Sequence, residues 1–278
     1  MSENGETMKI LIIADMEGLG GVVAAEECDE THREYPAFCE VMTSEVNAAV
    51  EGAFAAGATD IVVNDCHNLG RNIIPEKLHP DVVLARGQPL PVMVAPLDSS
   101  FDAQILIGFH GKRGTARSVL DHTLTEKFHL IKINGVEYGE AAMAMAYAGE
   151  LGIPTVFASG DDKLDAEIKQ VIPNITTVVV KKTMSRTSAL CFSPSQVRSQ
   201  IRDGVRQALE NRTTIKLFTP ETPLELEIEL FDSGAVDQAV CLPEVQRTGG
   251  RTITAKFENF SSLLKWFSIL PNVIEGPQ

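Results

Sequence analysis

The sequence predicts an α/β protein: a central, mostly parallel sheet flanked by helices, with a smaller C-terminal α+β lobe. Two observations predict the sheet. Short apolar runs at residues 10–14, 61–63, 103–107 and 155–158 lack polar alternation, as strands buried on both faces do. Between them lie stretches with helical spacing, which is the order that builds a parallel sheet. A third observation predicts the lobe, because after residue 190 the pattern changes to helix, strand, loop, strand and helix. The expected division is a metal-binding catalytic domain over 1–190 and the lobe over 191–278. A chain of 278 residues with 44% hydrophobic and 22% charged residues is large enough for either one large or two modest units.

Residues 1–8 are polar and are expected to fray. The first strand, 10–14, stops abruptly in Asp15, Met16, Glu17 and Gly18, and Gly18, Gly20 and Gly21 make a tight turn. Residues 23–35 carry many acids and little periodicity, so they read as a surface loop. Met42, Val46, Ala49, Val50 and Phe54 recur at threes and fours and predict a helix over 42–56, ended by Gly57. The strand at 61–63 runs into Asn64, Asp65, Cys66 and His67. Short strands follow at 82–84 and 103–107, the second leading to Gly108, Phe109 and His110. A strand at 130–133 meets Asn134-Gly135, a dipeptide that favours a hairpin turn. Residues 139–151 are rich in helix formers and are closed by Gly152 and Pro154. After the strand at 155–158 come Ser159, Gly160, Asp161 and Asp162, again at a strand end, and 178–180 reads as the last strand of the run. Beyond it we expect a helix at 195–211, strands at 224–230 and 252–257, and an apolar helix over 260–270. Phe260, Leu263, Leu264, Phe267 and Leu270 form one face of that helix, which is expected to pack inside the molecule.

Composition excludes several function classes. Lys and Arg total 24 against 38 Asp and Glu, and the net charge of −14 argues against nucleic acid or an anionic membrane as the main partner. No apolar run approaches the roughly 20 residues a membrane span needs, and the opening residues lack the order of a secretory signal, so the expected location is the cytoplasm. Cys28, Cys39, Cys66, Cys191 and Cys241 are scattered and odd in number, which suggests neither a disulfide framework nor a thiolate zinc site. The glycines at 18, 20 and 21 do not complete a dinucleotide fingerprint, and no P-loop occurs.

What remains is chemistry at strand ends. In an open α/β sheet, ligands bind beyond the carboxyl ends of the strands. Asp15 and Glu17 leave the first strand, Asp65 and His67 the second, and His110 a third. Residues two apart in extended backbone point the same way, so each pair can face one pocket. Carboxylates and imidazoles suit zinc, manganese or cobalt, and a carboxylate-rich site can hold two such ions about 3.5–4 Å apart. Each piece alone has a plain reading: Asp15 to Gly18 as a turn, His110 as a satisfied core histidine. His32 and His79 read as solvated, and His129 as a packing or capping residue. A Cys66–His67 nucleophile is disfavoured, since neighbours on extended chain point to opposite faces. His122, beside Asp121, has the chemistry of a proton carrier.

Taken in order, the segments Ala14-Asp15-Met16-Glu17-Gly18, Val63-Asn64-Asp65-Cys66-His67, Gly108-Phe109-His110, Asp121-His122 and Tyr138-Gly139-Glu140 resemble the M55 family of metallopeptidases, the D-aminopeptidases once named dipeptide transport proteins. Residues 158–162, 172–174 and 180–186 add to the likeness, which runs from Lys9 to Ser195 and fades beyond. The resemblance implies a dinuclear zinc centre with Asp15 as the bridging carboxylate and Glu17, His67, His110 and Glu140 completing the ligand set. On residue chemistry alone, Glu140 reads as an acid favoured at a helix start. The resemblance makes His122 the catalytic histidine outside the metal shell, as proton shuttle or oxyanion donor. Cys66 replaces a serine often found before the second-strand histidine, and it is not a ligand. A metal-bound hydroxide would attack the peptide carbonyl, with the substrate amine held by a metal or by an acid such as Asp65 or Asp161. The family further implies short peptide substrates with an amino-terminal D-residue, and a ring-shaped homo-oligomer, a decamer. Two other readings stay open: a metal-dependent amidase on a non-peptide substrate, and a peptide-binding protein that does not cleave.

Overall fold

The computed structural model describes residues 7–275, so of the fraying expected over residues 1–8 the part at 1–6 lies outside it, while Met8 is buried in the core and its amide donates to Thr59 Oγ1 at 3.0 Å. Within that range the chain runs β1 (Lys9–Ala14), α1 (Tyr35–Ala55), β2 (Asp60–Asp65), β3 (Val83–Ala85), β4 (Ala103–Phe109), β5 (Phe128–Ile133), β6 (Val136–Glu137), α2 (Glu140–Glu150), β7 (Thr155–Asp161), α3 (Asp162–Val171), β8 (Thr176–Ser185) and β9 (Ser188–Cys191). It continues as α4 (Pro194–Glu210), β10 (Leu224–Leu230), α5 (Ser233–Ala239), β11 (Gln246–Arg247), β12 (Thr252–Phe257), α6 (Phe260–Phe267) and α7 (Leu270–Glu275).

The larger sheet has the order β3-β2-β1-β4-β7-β8-β9, parallel throughout except for the edge pair of β8 and β9. From β1 the chain winds outward to β2 and β3, then returns to β4 on the other side and proceeds to β7 and β8. The switch point therefore falls between β1 and β4, where adjacent connections leave in opposite directions and open a crevice at the strand ends. Every residue of β4 and β7 is buried, as is β1 from Ile10 onward, which explains why these runs carry no polar alternation. One apolar core lies on each face of the sheet.

The second sheet is antiparallel, in the order β11-β12-β10-β5-β6. Asn134 and Gly135, at φ 51° and 77°, make the mirror-type turn between β5 and β6 that the dipeptide predicts. This sheet draws β5 and β6 from residues 128–137 and pairs β5 with β10, Ile131 facing Ile228. In the opposite direction α4, from beyond residue 190, buries Val197, Ile201 and Val205 in the same core as Met42, Val46 and Val50 of α1. The two sheets are thus not consecutive stretches of sequence, and a division at residue 190 does not separate them. No local pattern signals a pairing between strands about ninety residues apart, and that is why the boundary reads differently in one dimension.

Several elements differ from their sequence expectation for identifiable reasons. α1 starts at Tyr35 rather than 42, because Pro36 pre-sets the first turn while most of residues 35–41 are not buried and give no apolar period. α3 buries only Leu164 and Ile168, too sparse a stripe to detect, and is started by Asp161, whose carboxylate accepts from the amides of Lys163 and Leu164. The apolar helix expected over 260–270 is two, α6 and α7. Phe260, Leu263, Leu264, Phe267 and Leu270 are all buried in the molecule's own core. Among the described residues no helix is long and apolar enough to cross a membrane.

Candidate metal centre

The crevice at the switch point is held open by backbone. Beyond the end of β1, the Asp15 amide donates to Ile107 O at 2.9 Å and the Gly18 amide to Gly108 O at 2.8 Å, so the chain stays zipped to β4 while it turns. Only glycine fits this seam. A Cβ on Gly18 would lie 1.8 Å from Phe109 O, and Gly108, at φ +71°, would bring one within 2.2 Å of Asp15 O. The left-handed step at Gly108 coincides with a break in the β4–β7 register, immediately before His110.

Further hydrogen bonds set the remaining side chains. Asp65, the last residue of β2, accepts from the amides of Asn72 and Ile73 at 2.6 and 2.8 Å and from Asn72 Nδ2 at 2.6 Å, which fixes the turn carrying His67. Asp161 accepts from Ser118 Oγ and the Val119 amide at 2.9 and 3.1 Å, anchoring the loop that leads to His122. Asp121 accepts from the Gly114 amide and Arg186 Nε, and His122 Nδ1 donates instead to Leu120 O at 2.9 Å. Glu140 opens α2 and accepts from the Leu124 amide at 2.7 Å. Both carboxylate oxygens of Asp65 and of Asp161 are spent on loop backbone and neighbouring side chains, so neither acid is free to hold a substrate amine.

The structure brings Asp15, Glu17, His67, His110, His122 and Glu140 into one cluster. His67 Nδ1 lies 3.1 Å from Asp15 Oδ1 and 3.2 Å from Glu17 Oε2. His110 Nε2 lies 3.4 Å from Asp15 Oδ2 and 3.6 Å from Glu140 Oε1. Thus the two oxygens of Asp15 face different imidazoles. The far ring nitrogens lie against fixed groups: His67 Nε2 is 3.0 Å from Cys28 O and 2.9 Å from Asn68 Nδ2, and His110 Nδ1 donates to Gly111 O at 3.1 Å. His122 stacks on His110 with centroids 4.1 Å apart, and its Nε2 stands 3.7 Å from Glu140 Oε1 and 3.9 Å from Glu17 Oε1.

Such a packed set of acids needs compensating positive charge. Burial pushes the Asp15 carboxyl up, yet the imidazoles of His110 and His67 outweigh it and hold Asp15 well below the usual carboxylate range. Glu17 is lowered too, its burial and the repulsion of Asp15 offset by His67 and His122. Burial disfavours a charged imidazole, but Glu17 and Asp15 raise His67 well above its ordinary value, and Asp15 with Glu140 raises His110 to about 10. Without a metal, protons on these imidazoles supply the balancing charge. Burial and the surrounding carboxylates push the Cys66 thiol far up, and it stays protonated, which removes the thiolate a cysteine nucleophile requires.

The residues fit divalent cations on two counts. Glu17 Oε2 and His110 Nε2 are buried and make no well-formed hydrogen bond, their polar neighbours being the ion-pair approaches of 3.2 Å to His67 and 3.4 and 3.6 Å to Asp15 and Glu140, which leaves both atoms open to a further ligand. The donor set is oxygen and imidazole nitrogen, with each far ring nitrogen of His67 and His110 tied to a carbonyl, as metal-binding histidines are. Ligand atoms of Asp15, Glu17 and His110 lie within 4.8 Å of one another, as do those of His110, His122 and Glu140. By distance alone His122 is thus as close to the cluster as the expected ligands. The Cys28 carbonyl and the Leu124 amide, which orient His67 and Glu140, had no signal in the sequence because both are backbone groups.

Glu45 of α1 lies beneath the same loop, accepting from the Gly20 amide at 2.9 Å. Its burial raises its carboxyl from 4.5 to about 7. A raised acid stabilises the fold below its unfolded value and loses that contribution as pH rises through the folded one. Glu45→Gln is therefore expected to gain stability relative to wild type between pH 4.5 and 7, by on the order of 3 kcal/mol. Denaturant titration of both proteins at pH 4.5, 6 and 7.5 measures it, and parallel pH profiles would contradict the assignment.

The chain is similar to known proteins along most of its length. The family model for peptidase M55, D-aminopeptidase, matches residues 8–269. A D-aminopeptidase of Bacillus subtilis (strain 168) is 32% identical over 248 residues, covering 88% of this chain and 90% of the relative. A solved structure, described as the zinc-dependent D-aminopeptidase DppA from Bacillus subtilis, a self-compartmentalizing protease, superposes with a TM-score of 0.94 at 28% identity, covering 98% of this chain and 99% of that one. The match spans both sheets and every strand end described above, and on these grounds the chain belongs to the M55 peptidase family of D-aminopeptidases.

Proposed function

We propose that this protein is a zinc-dependent aminopeptidase that removes an amino-terminal D-residue from short peptides. In this reading Asp15, Glu17, His67, His110 and Glu140 hold two zinc ions, and manganese or cobalt can replace them. The observation that carries it is Asp15: its two oxygens face separate imidazoles in a buried cluster where Glu17 Oε2 and His110 Nε2 make ion-pair approaches but no well-formed hydrogen bond. When bound, zinc supplies Lewis acidity and lowers the pKa of water from ~15.7 towards ~7. The rest is the work of side chains. Asp15, Glu17 and Glu140 set the charge of the site, and the carbonyls of Cys28 and Gly111 fix which ring nitrogen His67 and His110 present. His122 acts outside the metal shell. Its Nδ1–H is held by Leu120 O, so Nε2 is the atom that faces the reacting groups and passes a proton to the leaving amine or donates to the oxyanion.

A cavity of about 530 Å³ opens over Glu17, His67 and His122. A second, of about 560 Å³ and lined by Leu90, Met93, Leu264 and Phe267, shares Asn68, Leu124 and Pro271 with it. Spaces of this size suit a peptide of a few residues. The preference for a D-residue rests on the relatives. So does the homo-oligomer: the solved relative is described as self-compartmentalizing, which supports an assembly of several copies. In our reading that assembly is a ring-shaped decamer in the cytoplasm whose interior restricts access.

Metal analysis of the purified protein, combined with an assay on paired D- and L-alanyl dipeptides, tests the proposal. Expected are about two zinc ions per chain, preferential cleavage of the D-alanyl peptide, loss of activity with a chelator, and recovery with zinc, manganese or cobalt. No hydrolysis by metal-loaded protein would leave a binding protein, and turnover restricted to a non-peptide amide would make it an amidase.

A further inference from the structure

Lys181 is fully buried in β8, and its ammonium carries out no step in the mechanism above. Its Nζ donates to three backbone carbonyls of a single short loop: Glu17 O at 2.6 Å, Leu19 O at 3.0 Å and Val22 O at 2.6 Å. Among the described residues no carboxylate lies within ion-pairing distance of it, and the groups in direct contact with its ammonium are carbonyl dipoles; burial lowers its pKa, while Asp161 and Glu45 favour the charge from further away. A buried ammonium is costly to desolvate and is retained where its donors are fully used. Three carbonyls aimed at one point repel one another, and a cation is what allows them to converge there.

The loop in question carries Glu17, whose side chain reaches His67 and the metal cluster. Four of its amides are held separately. The Gly18 amide donates to Gly108 O, the Leu19 amide to Met16 O, the Gly20 amide to Glu45 and the Val22 amide to Leu19 O. Amides are thus held by neighbouring elements or by the loop itself, and the carbonyls at 17, 19 and 22 by Lys181 alone among side chains.

We infer that Lys181 is a positioning residue for the metal centre: it gathers the 17–22 loop around its ammonium and so sets the Glu17 carboxylate in ligating position before any metal arrives. This inference rests on the metal-site reading above. It extends that reading to a residue on a different strand, outside the cluster, in an environment built from backbone carbonyls. Groups that orient a ligand typically account for ~10- to 100-fold in metal affinity when removed.

The test is zinc affinity, measured by competition with a chromophoric chelator, in wild type, Lys181→Met and Lys181→Gln, with circular dichroism and sedimentation as checks on folding. Wild type that binds no zinc would overturn the metal-site reading itself, independently of Lys181. If wild type binds zinc, the folded variants are expected to bind at least about tenfold more weakly. A merely structural lysine would lower the melting temperature and leave the affinity of the surviving folded protein unchanged, and that result overturns the inference. A measurement on wild type alone covers the case in which neither variant folds. Hydrogen exchange at the Gly18 and Gly20 amides is expected to be slow in zinc-free protein, and fast exchange there that becomes slow on adding zinc means the metal, not the lysine, orders the loop.

Discussion

Asp15→Ala is expected to lose zinc and activity together, with kcat/KM falling at least about 10³-fold, beyond what deletion of a single oxyanion donor costs. The reason is geometric. Asp15 alone faces both imidazoles, Oδ1 towards His67 and Oδ2 towards His110, so deleting it removes an anion from both halves of the cluster at once. It also leaves two buried imidazoles whose raised proton affinity depends on that carboxylate. Breaking a buried charge pair by removing one partner costs ~3–5 kcal/mol, so Asp15→Ala is also expected to be less stable than wild type. Asp15→Asn keeps the shape, and a zinc-poor, inactive Asp15→Asn enzyme separates loss of the ligand from loss of the fold. Zinc content, kcat/KM and melting temperature of the two variants measure this, and either variant retaining the wild-type rate would refute the assignment.

His122→Ala is expected to behave differently: zinc is kept while kcat falls by ~10²–10⁴, the usual contribution of a positioned acid or base. The contrast with Asp15 matters because distance does not separate the two roles. His122 Nε2 is 3.7 Å from Glu140 Oε1, and its ligand atom clusters with those of His110 and Glu140. A His122→Ala protein that loses zinc in proportion to rate would move this residue from proton carrier to ligand. The stacking of His122 on His110 adds a control, since replacement by Phe keeps the ring contact and removes the nitrogen. His122→Phe is expected to retain zinc as His122→Ala does and to be as slow.

Much of this site can be read from sequence because Asp15, Glu17, His67 and His110 each follow a strand buried on both faces. In such a sheet the apolar run marks the strand, its abrupt end marks the rim, and the switch between β1 and β4 decides where the rims converge. Glu140 has no such signal. It arrives from α2, after the β5–β6 hairpin of the other sheet, and only the tertiary fold brings its carboxylate to Leu124 and His110. Asp65 and Asp161 carry the same strand-end signature as the cluster residues, yet both hold loops in place. A carboxylate at a strand end can serve the backbone or the pocket, and residue type does not distinguish the two. Lys181 is the converse. It continues the apolar run 178–180, where a lysine reads as the end of a buried strand, but its side chain lies wholly inside because three carbonyls await it. Partners made of backbone leave no trace in composition or spacing.

The central claim is that Asp15, Glu17, His67, His110 and Glu140 surround zinc. Anomalous diffraction at the zinc absorption edge, from crystals of the purified protein, tests it most directly. The account predicts two peaks beside Asp15, one towards His67 and Glu17 and the other towards His110 and Glu140. A map with no peak in that crevice, from protein that cleaves D-alanyl peptides, would contradict it.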